Sequence, residues 1–373
     1  MLYELSAAYD PCRLRDKHVS LSYENKRPMN PVSTRLLSQQ LICPQFTSPH
    51  DVVSWMGAMQ AQDYKMVRWG VAMRTRKPSA KAFEKDYNDG RIVRTHLFRT
   101  TWQLVAGEDL GWMLELCRKP AMRGLLGWMK SNGISIPETE QEVVSQIFSD
   151  VLTKNRIAVK SDFAAALEDR GMPMEDHRLS YHIRLGEYSG LLCSGDLLPR
   201  KHSYALVADK LPKSRSVPRE EALARLVGIY FRSHGPATLE DFVWWSGLNA
   251  GDCRKGMDAL GDELVEVRWK GLPFFVIEGF RTRGFRSGSV HLLPPYDEYL
   301  IGYKSRQVSL NPDHSHRAHN NTGNFWPVVL QDGQVVGNWS APGGKVSVDL
   351  FHPDTILDEE ALLGQIKMFS LSV

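Results

Sequence analysis

Cysteine is scarce in this chain of 373 residues, and its five cysteines are widely separated. They are Cys12, Cys43, Cys117, Cys193 and Cys253, and no two of them form a C-x-x-C pair. An odd number of dispersed cysteines is not the pattern of a disulfide framework or of a zinc site. We therefore expect free thiols, a reducing compartment and, with it, a cytoplasmic location.

Long apolar stretches and a strong charge bias are also missing. No run of about 18 apolar residues occurs, so the sequence predicts no membrane-spanning helix. The N-terminus lacks the apolar core of a secretion signal. Lys and Arg number 46 against 43 Asp and Glu, which gives a formal net charge of +3. Because this excess is small, a nucleic-acid-binding surface would have to come from clustered basic residues.

Familiar catalytic motifs are absent from the sequence. It contains no G-x-S-x-G elbow, no Walker phosphate loop and no G-x-G-x-x-G. His314, His316 and His319 form an H-x-H-x-x-H string. We interpret this string as part of a flexible polar loop, and we expect no metal site.

One order of predicted elements, helices followed by a β-hairpin, occurs three times. The first copy ends in β-branched and aromatic residues from Ile92 to Val105, and the second returns through Tyr204 to Val207. In the third copy, Leu264 to Val276 alternates like a hairpin. Segments 158–163 and 237–242 share an Asp-Phe pair where the second helix of a unit begins. Such repeats predict tandem winged helix-turn-helix units.

The C-terminal part has a different pattern. Asp332-Gly333 separates two apolar runs, which is a strong signal for a two-residue hairpin turn. Val346, Val348 and Leu350 alternate as a strand does. We therefore predict a small β-rich module with the form of a partial barrel.

Together these patterns predict an α+β protein with three tandem winged helix-turn-helix units and a β-rich C-terminal module. The N-terminal segment offers little apolar surface to bury, and we expect it to be a disordered tail. The predicted boundaries are 1–29 for the tail, 30–108, 109–212 and 213–280 for the winged helices, and 281–373 for the β-rich module.

Tandem winged helices favour double-stranded DNA as the partner. A helix-turn-helix places one helix in the major groove, and several units in one chain can wrap a duplex without a dimer partner, so we expect a monomer. The candidate DNA contacts are Arg94, His96 and Arg99 on the first hairpin. Residues 94 and 96 would face the same side of a strand. Two alternatives stay open: a protein-docking role for the winged helices, and a solvated hairpin edge for these three residues.

The segment containing Gln60, Ala61 and Gln62 follows an amphipathic helix at the point where its pattern ends. In an extended chain the two glutamines face the same side, whereas in a helix they point about 200° apart. Two amides on one face can hold a water molecule, because each has a donor and an acceptor. They cannot deprotonate that water strongly, which suits a reaction whose leaving group departs readily. The alternative is a helix end with exposed amides.

Three motifs carry a resemblance to a known family. They are Gly57–Tyr64 with Trp69 after it, Ile92–Trp102 and Leu292–Tyr303, and they occur in this order. The chain thereby resembles the bacterial winged-helix proteins similar to AlkZ, the DNA interstrand-crosslink glycosylases, over roughly residues 31–373. The resemblance implies three tandem winged helices and a β-rich module. It also implies a monofunctional DNA glycosylase that hydrolyses the N-glycosidic bond of N7-alkylated purines, including crosslinked ones.

The resemblance also assigns roles. The family motif is Gln–apolar–Gln, and Gln60-Ala61-Gln62 matches it, so Gln60 and Gln62 would be catalytic and would hold a water beside the anomeric carbon. Alkylation at N7 makes the purine a cationic leaving group, and the transition state resembles an oxocarbenium ion. Orienting a water is then enough, and no cofactor is required. Because a crosslinked base is tied to both strands, we expect an open site facing the groove rather than a tight base-flipping pocket.

One position departs from the family pattern. Relatives often have a His where this chain has Gln103, which puts the activity or the substrate in question. The alternative function is a non-catalytic winged-helix DNA-binding protein or transcriptional regulator, and a protein-binding scaffold is a third. A regulator has no use for two amides that hold a water, so the geometry of residues 60–62 separates the hypotheses.

Overall fold

The structure is a computed structural model that describes residues 29–213 and 216–372. The predicted tail at 1–29 lies outside the described residues except for its last position. Helices and four small antiparallel sheets alternate along the chain. The predicted α+β class is therefore confirmed.

The first segment places its helices ahead of a β-hairpin. Its elements are α1 (Pro31–Ser38), α2 (Pro49–Met56), β1 (Ala58–Gln60), α3 (Met66–Ala72), α4 (Ala80–Asn88), β2 (Ile92–His96) and β3 (Trp102–Ala106). The strands pair antiparallel in the order β1-β3-β2. One face of this sheet packs on its own helices, and the other faces a core shared with later segments.

Local capping signals explain where the first helices begin. The Ser48 side chain accepts a hydrogen bond from the Asp51 amide, and Pro49 occupies the first turn of α2, as this Ser-Pro pair predicts. Helix α1 instead begins after Asn30, whose side chain accepts from the amides of Val32 and Ser33. Ser33, which also has the side chain of a helix cap, lies inside α1.

The second segment repeats the order of the first. Its elements are α5 (Leu110–Ser131), α6 (Glu138–Asn155), β4 (Ala158–Val159), α7 (Lys160–Asp169), α8 (Asp176–Ser189), β5 (Leu192–Ser194), β6 (Ser203–Leu206) and α9 (Val207–Lys210). The strand order is β4-β6-β5, so the first strand again pairs with the last. The long helix α5 contributes side chains to the core shared between segments.

The third segment has the same arrangement with a shorter first strand. Its elements are α10 (Arg219–His234), α11 (Leu239–Ser246), α12 (Ala250–Leu260), β7 (Leu264–Trp269) and β8 (Leu272–Ile277). Ala237 pairs with Phe275 as an isolated bridge in the place of a first strand. Thr238 and Asp241 exchange the two bonds of a capping box at the start of α11, as the spacing of these two residue types predicts.

The C-terminal part is an open sheet with short helices around it. Its elements are β9 (Val290–Leu293), α13 (Glu298–Ile301), α14 (Ser315–Ala318), β10 (Val328–Gln331), β11 (Gln334–Ser340), β12 (Ser347–Leu350) and α15 (Glu359–Ser372). The strand order is β12-β11-β10-β9. The predicted turn at Asp332-Gly333 is confirmed, with φ angles of 49° and 79°.

Two expectations for this part were wrong. The sheet is not a partial barrel, because β9 and β12 form opposite edges and do not pair. Helix α15 packs beside β9, and the Phe369 ring lies 5.2 Å from that of Trp339. The histidine string is not a loop, since it spans a short 3₁₀ turn and α14. In residues 29–213 and 216–372, no group of three or more His, Cys, Asp or Glu side chains could hold a metal.

The buried cores do not follow the predicted domain boundaries. One apolar cluster contains side chains from the first hairpin and from α5, α8, α10, α11 and α12. A second unites α1 and α3 with the C-terminal sheet. The boundaries at 108, 212 and 280 stay a prediction. In the described part of the chain no helix is both long and apolar enough to cross a membrane.

Candidate active site and DNA interface

The two glutamines follow a sharp change from helix to strand. Gly57 ends α2 with a φ of 77°, and a Cβ there would lie 2.3 Å from Ile229 Cγ2, so only glycine fits. Gln60 is the last residue of β1, and the amide of Ala61 still donates to the Trp102 carbonyl at 2.8 Å. The helix does not continue through Gln60, which removes the alternative of a helix end at this position.

Gln60 is buried and held at two of its atoms. Its backbone amide donates to Glu298 Oε1 at 2.6 Å, and its side-chain Oε1 accepts from Thr101 Oγ1 at 3.0 Å. The Gln60 Nε2 atom makes no hydrogen bond to any residue the structure describes. Gln62 is exposed, and its side chain likewise has no partner in that part of the chain. One fixed amide donor therefore lies close in sequence to one solvent-exposed amide.

Glu298 connects the C-terminal motif to this segment. Its Oε2 accepts from Trp245 Nε1 at 3.1 Å and contacts His234 Nε2 at 3.1 Å, while Oε1 holds Gln60. Burial lowers the pKa of His234, and the Glu298 carboxylate opposes that shift. The neighbouring Asp297 binds the Arg74 guanidinium through two bonds of 2.7 and 2.9 Å. The Glu298–Gln60 hydrogen bond places α13 against β1, and the Asp297–Arg74 ion pair joins α13 to the segment after α3.

Arg94 and His96 lie in the interior of the first hairpin. They share a face, as predicted, because both contact the Trp102 ring at 3.9 Å. Arg94 is 2% exposed to solvent, and His96 is 4% exposed. Arg94 Nε donates to the carbonyl of Ala61 at 2.9 Å, and His96 Nδ1 lies 2.6 Å from Glu187 Oε2. Arg94 therefore holds the backbone between the two glutamines.

A histidine from the second segment contacts both Arg94 and Trp102. His202 Nδ1 lies 3.1 Å from Arg94 Nη1, and its ring stacks on Trp102 at 5.6 Å. Burial, with the charges of Arg94 and His96 adding to it, lowers the pKa of His202 to about 4. The ring is therefore neutral at physiological pH and can accept a bond from the arginine.

Arg99 occupies the turn between β2 and β3 with a φ of 55°. Its Nε and Nη2 atoms are buried and have no hydrogen-bond partner among the described residues. The side chain packs beside Gly247, where a Cβ would lie 3.2 Å from Arg99 Cγ. Burial lowers the pKa of Arg99, and the Glu298 carboxylate opposes that shift. Of the three predicted DNA contacts, Arg99 is the one whose side chain has no hydrogen-bond partner among the described residues.

A cleft of about 470 Å³ opens beside this turn. Most of the described residues that line it are apolar, none is a carboxylate, and the polar side chains are those of Arg99, Thr100, Tyr181, Arg184 and Ser246. Arg184 Nε is also buried without a partner in the described structure. The charges of the cleft therefore favour an anion over a cation.

Sequence reasoning assigned no role to Thr101 or Glu298 and noted Gln103 only as a departure from the family pattern, although all three lie in or beside the motifs. Gln103 pairs directly with Gln60 in the ladder, and its buried Oε1 lacks a partner in the part of the chain described. The Asp297-Glu298 pair, inside an otherwise apolar motif, is the sequence feature that could have indicated a role for Glu298. Asp and Glu side chains are rarely fully buried without a partner.

Comparisons with known proteins point first to a class, the DNA glycosylases. The chain belongs to the AlkZ-like DNA glycosylase family, because the family described as "DNA glycosylase AlkZ-like" matches residues 53–368. The resemblance seen in the motifs is thereby confirmed. The curated interstrand DNA cross-link repair glycosylase of Streptomyces sahachiroi is 27% identical over 324 residues, which is 83% of this chain and 86% of that protein.

A solved structure supports the fold. The Streptomyces sahachiroi DNA glycosylase AlkZ superposes with a TM-score of 0.72 at 23% sequence identity. The match covers 91% of this chain and 95% of that one. The overall arrangement of helices and sheets is thus shared along nearly the whole length of both chains.

Proposed function

We propose that this protein is a monofunctional DNA repair glycosylase that hydrolyses the N-glycosidic bond of N7-alkylated purines, including those in interstrand crosslinks. Gln60 and Gln62 position the attacking water. The observation that carries this proposal is the anchoring of residues 60–61. Glu298 holds the Gln60 amide, Thr101 holds its side-chain oxygen, and Arg94 holds the following carbonyl. Three anchors that leave Gln60 Nε2 without a partner are characteristic of a positioned catalytic amide.

The chemistry follows from these contacts. With Thr101 on its oxygen, the Gln60 amide is fixed in orientation, and Nε2 donates to the water oxygen. The exposed Gln62 supplies a carbonyl that accepts one water proton. Neither amide can take that proton fully, so it passes to bulk water as the water oxygen bonds to the anomeric carbon. The electron pair of the broken C–N bond leaves with the alkylated purine, which departs as a neutral base. The reaction uses no metal and no organic cofactor.

The DNA is bound by three winged helix-turn-helix units in one monomer. Support comes from the repeated order of elements and from the pairing of first with last strand in each segment. We place the first hairpin against the duplex, with Arg99 as its main contact. Arg94 and His96 would reach DNA only by giving up their bonds to Ala61 and Glu187, so their main effect is on the position of the glutamines.

A base-excision assay tests the proposal. Duplexes would carry N7-methylguanine or an N7-linked interstrand crosslink, and wild type would be compared with Gln60→Ala and Gln62→Ala. Gln146→Ala is a matched control, because Gln146 is exposed on α6 and bonds only to Asp150. We expect abasic product from wild type and the control, and none from the two motif variants, with DNA binding retained. No product from wild type on either substrate, despite tight binding, would favour the non-catalytic regulator.

A further inference from the structure

Two arginines from different segments lie against one exposed indole. Arg99, in the turn between β2 and β3, has its Cζ atom 5.5 Å from the ring centroid of Trp244 on α11. Arg306, which follows α13, has its Cζ atom 5.6 Å from the same centroid. Trp244 is 39% exposed, and its Nε1 donates to the Ile301 carbonyl at 2.9 Å, which fixes the ring. We call Arg99, Trp244 and Arg306 the arginine pair site.

The guanidinium groups of this site lie near the charges of Glu298 and Asp241 but are not bound directly by a carboxylate among the described residues. Within residues 29–213 and 216–372, neither guanidinium is ion-paired with a carboxylate, and Arg306 donates only to the backbone carbonyls of Leu300 and Lys304. Two nitrogens of Arg99 are buried without a partner there. Burial, with the charge of Arg99 adding to it, lowers the pKa of Arg306 to about 10. Two like charges near each other and partly shielded from water are costly unless an anion joins them.

The arginine pair site lies next to the glutamine motif. Thr101, two residues after Arg99, donates its hydroxyl to Gln60 Oε1. Glu298, whose charge acts on Arg99, accepts the Gln60 amide. A group bound by the two arginines would therefore be held at a set position relative to Gln60.

We propose that Arg99 and Arg306 together bind one backbone phosphate of the DNA strand that carries the damaged base, and so set the register of that strand against Gln60. This inference rests on the DNA binding that the proposed function requires. A phosphate is the chemical match, because guanidinium groups bind it through paired charge-assisted bonds. An N7-alkylated purine carries a positive charge and would be repelled by both arginines. Arg306 was not among the contacts that the sequence indicated.

The test is a double-mutant cycle in which a substitution in the protein is combined with a modification of the DNA backbone. The probe is a duplex with a 2′-fluorinated N7-methylguanine, which resists excision, and single neutral methylphosphonates are scanned along its strand. For wild type we expect one position at which the neutral linkage weakens binding about tenfold, the size typical of a charged hydrogen bond. Arg306→Gln should weaken binding to the unmodified backbone by a similar factor. In this variant the methylphosphonate at that position should cause no further loss.

Control variants separate the coupled loss from a general weakening of DNA binding. Arg225→Gln is matched, because Arg225 is exposed on α10 and pairs only with Glu221, and its effect should add to that of the methylphosphonate. Arg306→Lys keeps the charge and should retain part of the sensitivity. If thermal melting shows that Arg306→Gln is unfolded, Arg99→Gln takes its place in the cycle.

Each outcome decides the inference. Additive losses for Arg306→Gln at every position would overturn it, even if the enzyme excises normally. Failure of wild type to bind the probe would overturn both this inference and the DNA-binding part of the proposed function. Binding with coupled losses but without excision of the non-fluorinated base would leave this inference standing and remove the glycosylase proposal.

Discussion

Replacing Glu298 with Gln tests whether this buried carboxylate positions Gln60. The Glu298 carboxylate faces the N–H groups of Gln60 and Trp245 and the ring nitrogen Nε2 of His234. A Gln at 298 has nearly the same shape but only one acceptor oxygen. In either orientation its NH₂ group faces the backbone N–H of Gln60 or the indole N–H of Trp245. One buried donor is then left unsatisfied.

The expected size follows from that lost partner. An unsatisfied buried donor costs about 1–3 kcal/mol, so we expect the free energy of unfolding to fall by about 2 kcal/mol. His234 can limit the loss, because a neutral imidazole can accept a bond from the new NH₂ group. Excision should slow about tenfold, since a loss of about 1.4 kcal/mol in positioning corresponds to that factor, and the affinity for undamaged duplex should not change.

Urea denaturation and single-turnover excision measure the two effects. Glu221→Gln is the matched control, because Glu221 is exposed and pairs with Arg225 on the same helix; it should shift the unfolding free energy by less than about 0.5 kcal/mol. If Glu298→Gln unfolds at the wild-type urea concentration and excises at the wild-type rate, the carboxylate does not hold Gln60.

Two further predictions concern stability. In urea, Gly57→Ala should lower the free energy of unfolding by about 2 kcal/mol or more, because the new Cβ would meet Ile229 Cγ2 at 2.3 Å and the φ is 77°. Gly127→Ala is the contrasting variant: a Cβ there meets nothing within 4 Å, so the change should stabilise α5. Wild type should lose stability as the pH falls from about 6.5 to 4, because burial lowers the pKa of His202 in the folded state to about 4 and the unfolded chain binds the proton first. In His202→Gln that loss should be smaller, and an unchanged pH dependence in urea would contradict this account.

The elements that the sequence predicted correctly depend on short-range physics. The Ser48-Pro49 helix start, the capping box at Thr238 and the Asp332-Gly333 turn each need only four or fewer consecutive residues. The hairpins followed from alternation along single strands. The partial barrel was wrong because closure requires the edge strands to meet, and alternation within a strand carries no information about that.

The site could be predicted only in part. The glutamine pair stood out because two amides interrupt an apolar pattern. Its main anchor, Glu298, is 238 positions away along the chain, and no periodicity links the two. The burial of Arg94 depends on the second segment, where Ser194 Oγ accepts the Arg94 amide and His202 contacts its guanidinium. A basic residue on a predicted hairpin therefore could not be told from a solvent-facing one.

The distribution of charge around Gln60 fits the reaction proposed for it. A free carboxylate beside an N7-alkylated purine would stabilise the cation of the ground state, and that charge disappears from the base as the bond breaks. The acidic group that touches Gln60 is Glu298, and its oxygens are already engaged by Trp245, His234 and the Gln60 amide. Arg99 and Arg306 form no ion pair with a carboxylate among the described residues, and their charges suit the backbone phosphate rather than the base. In the proposed arrangement, neutral amides hold the water and cations hold the phosphate, so neither group stabilises the cationic base before it departs.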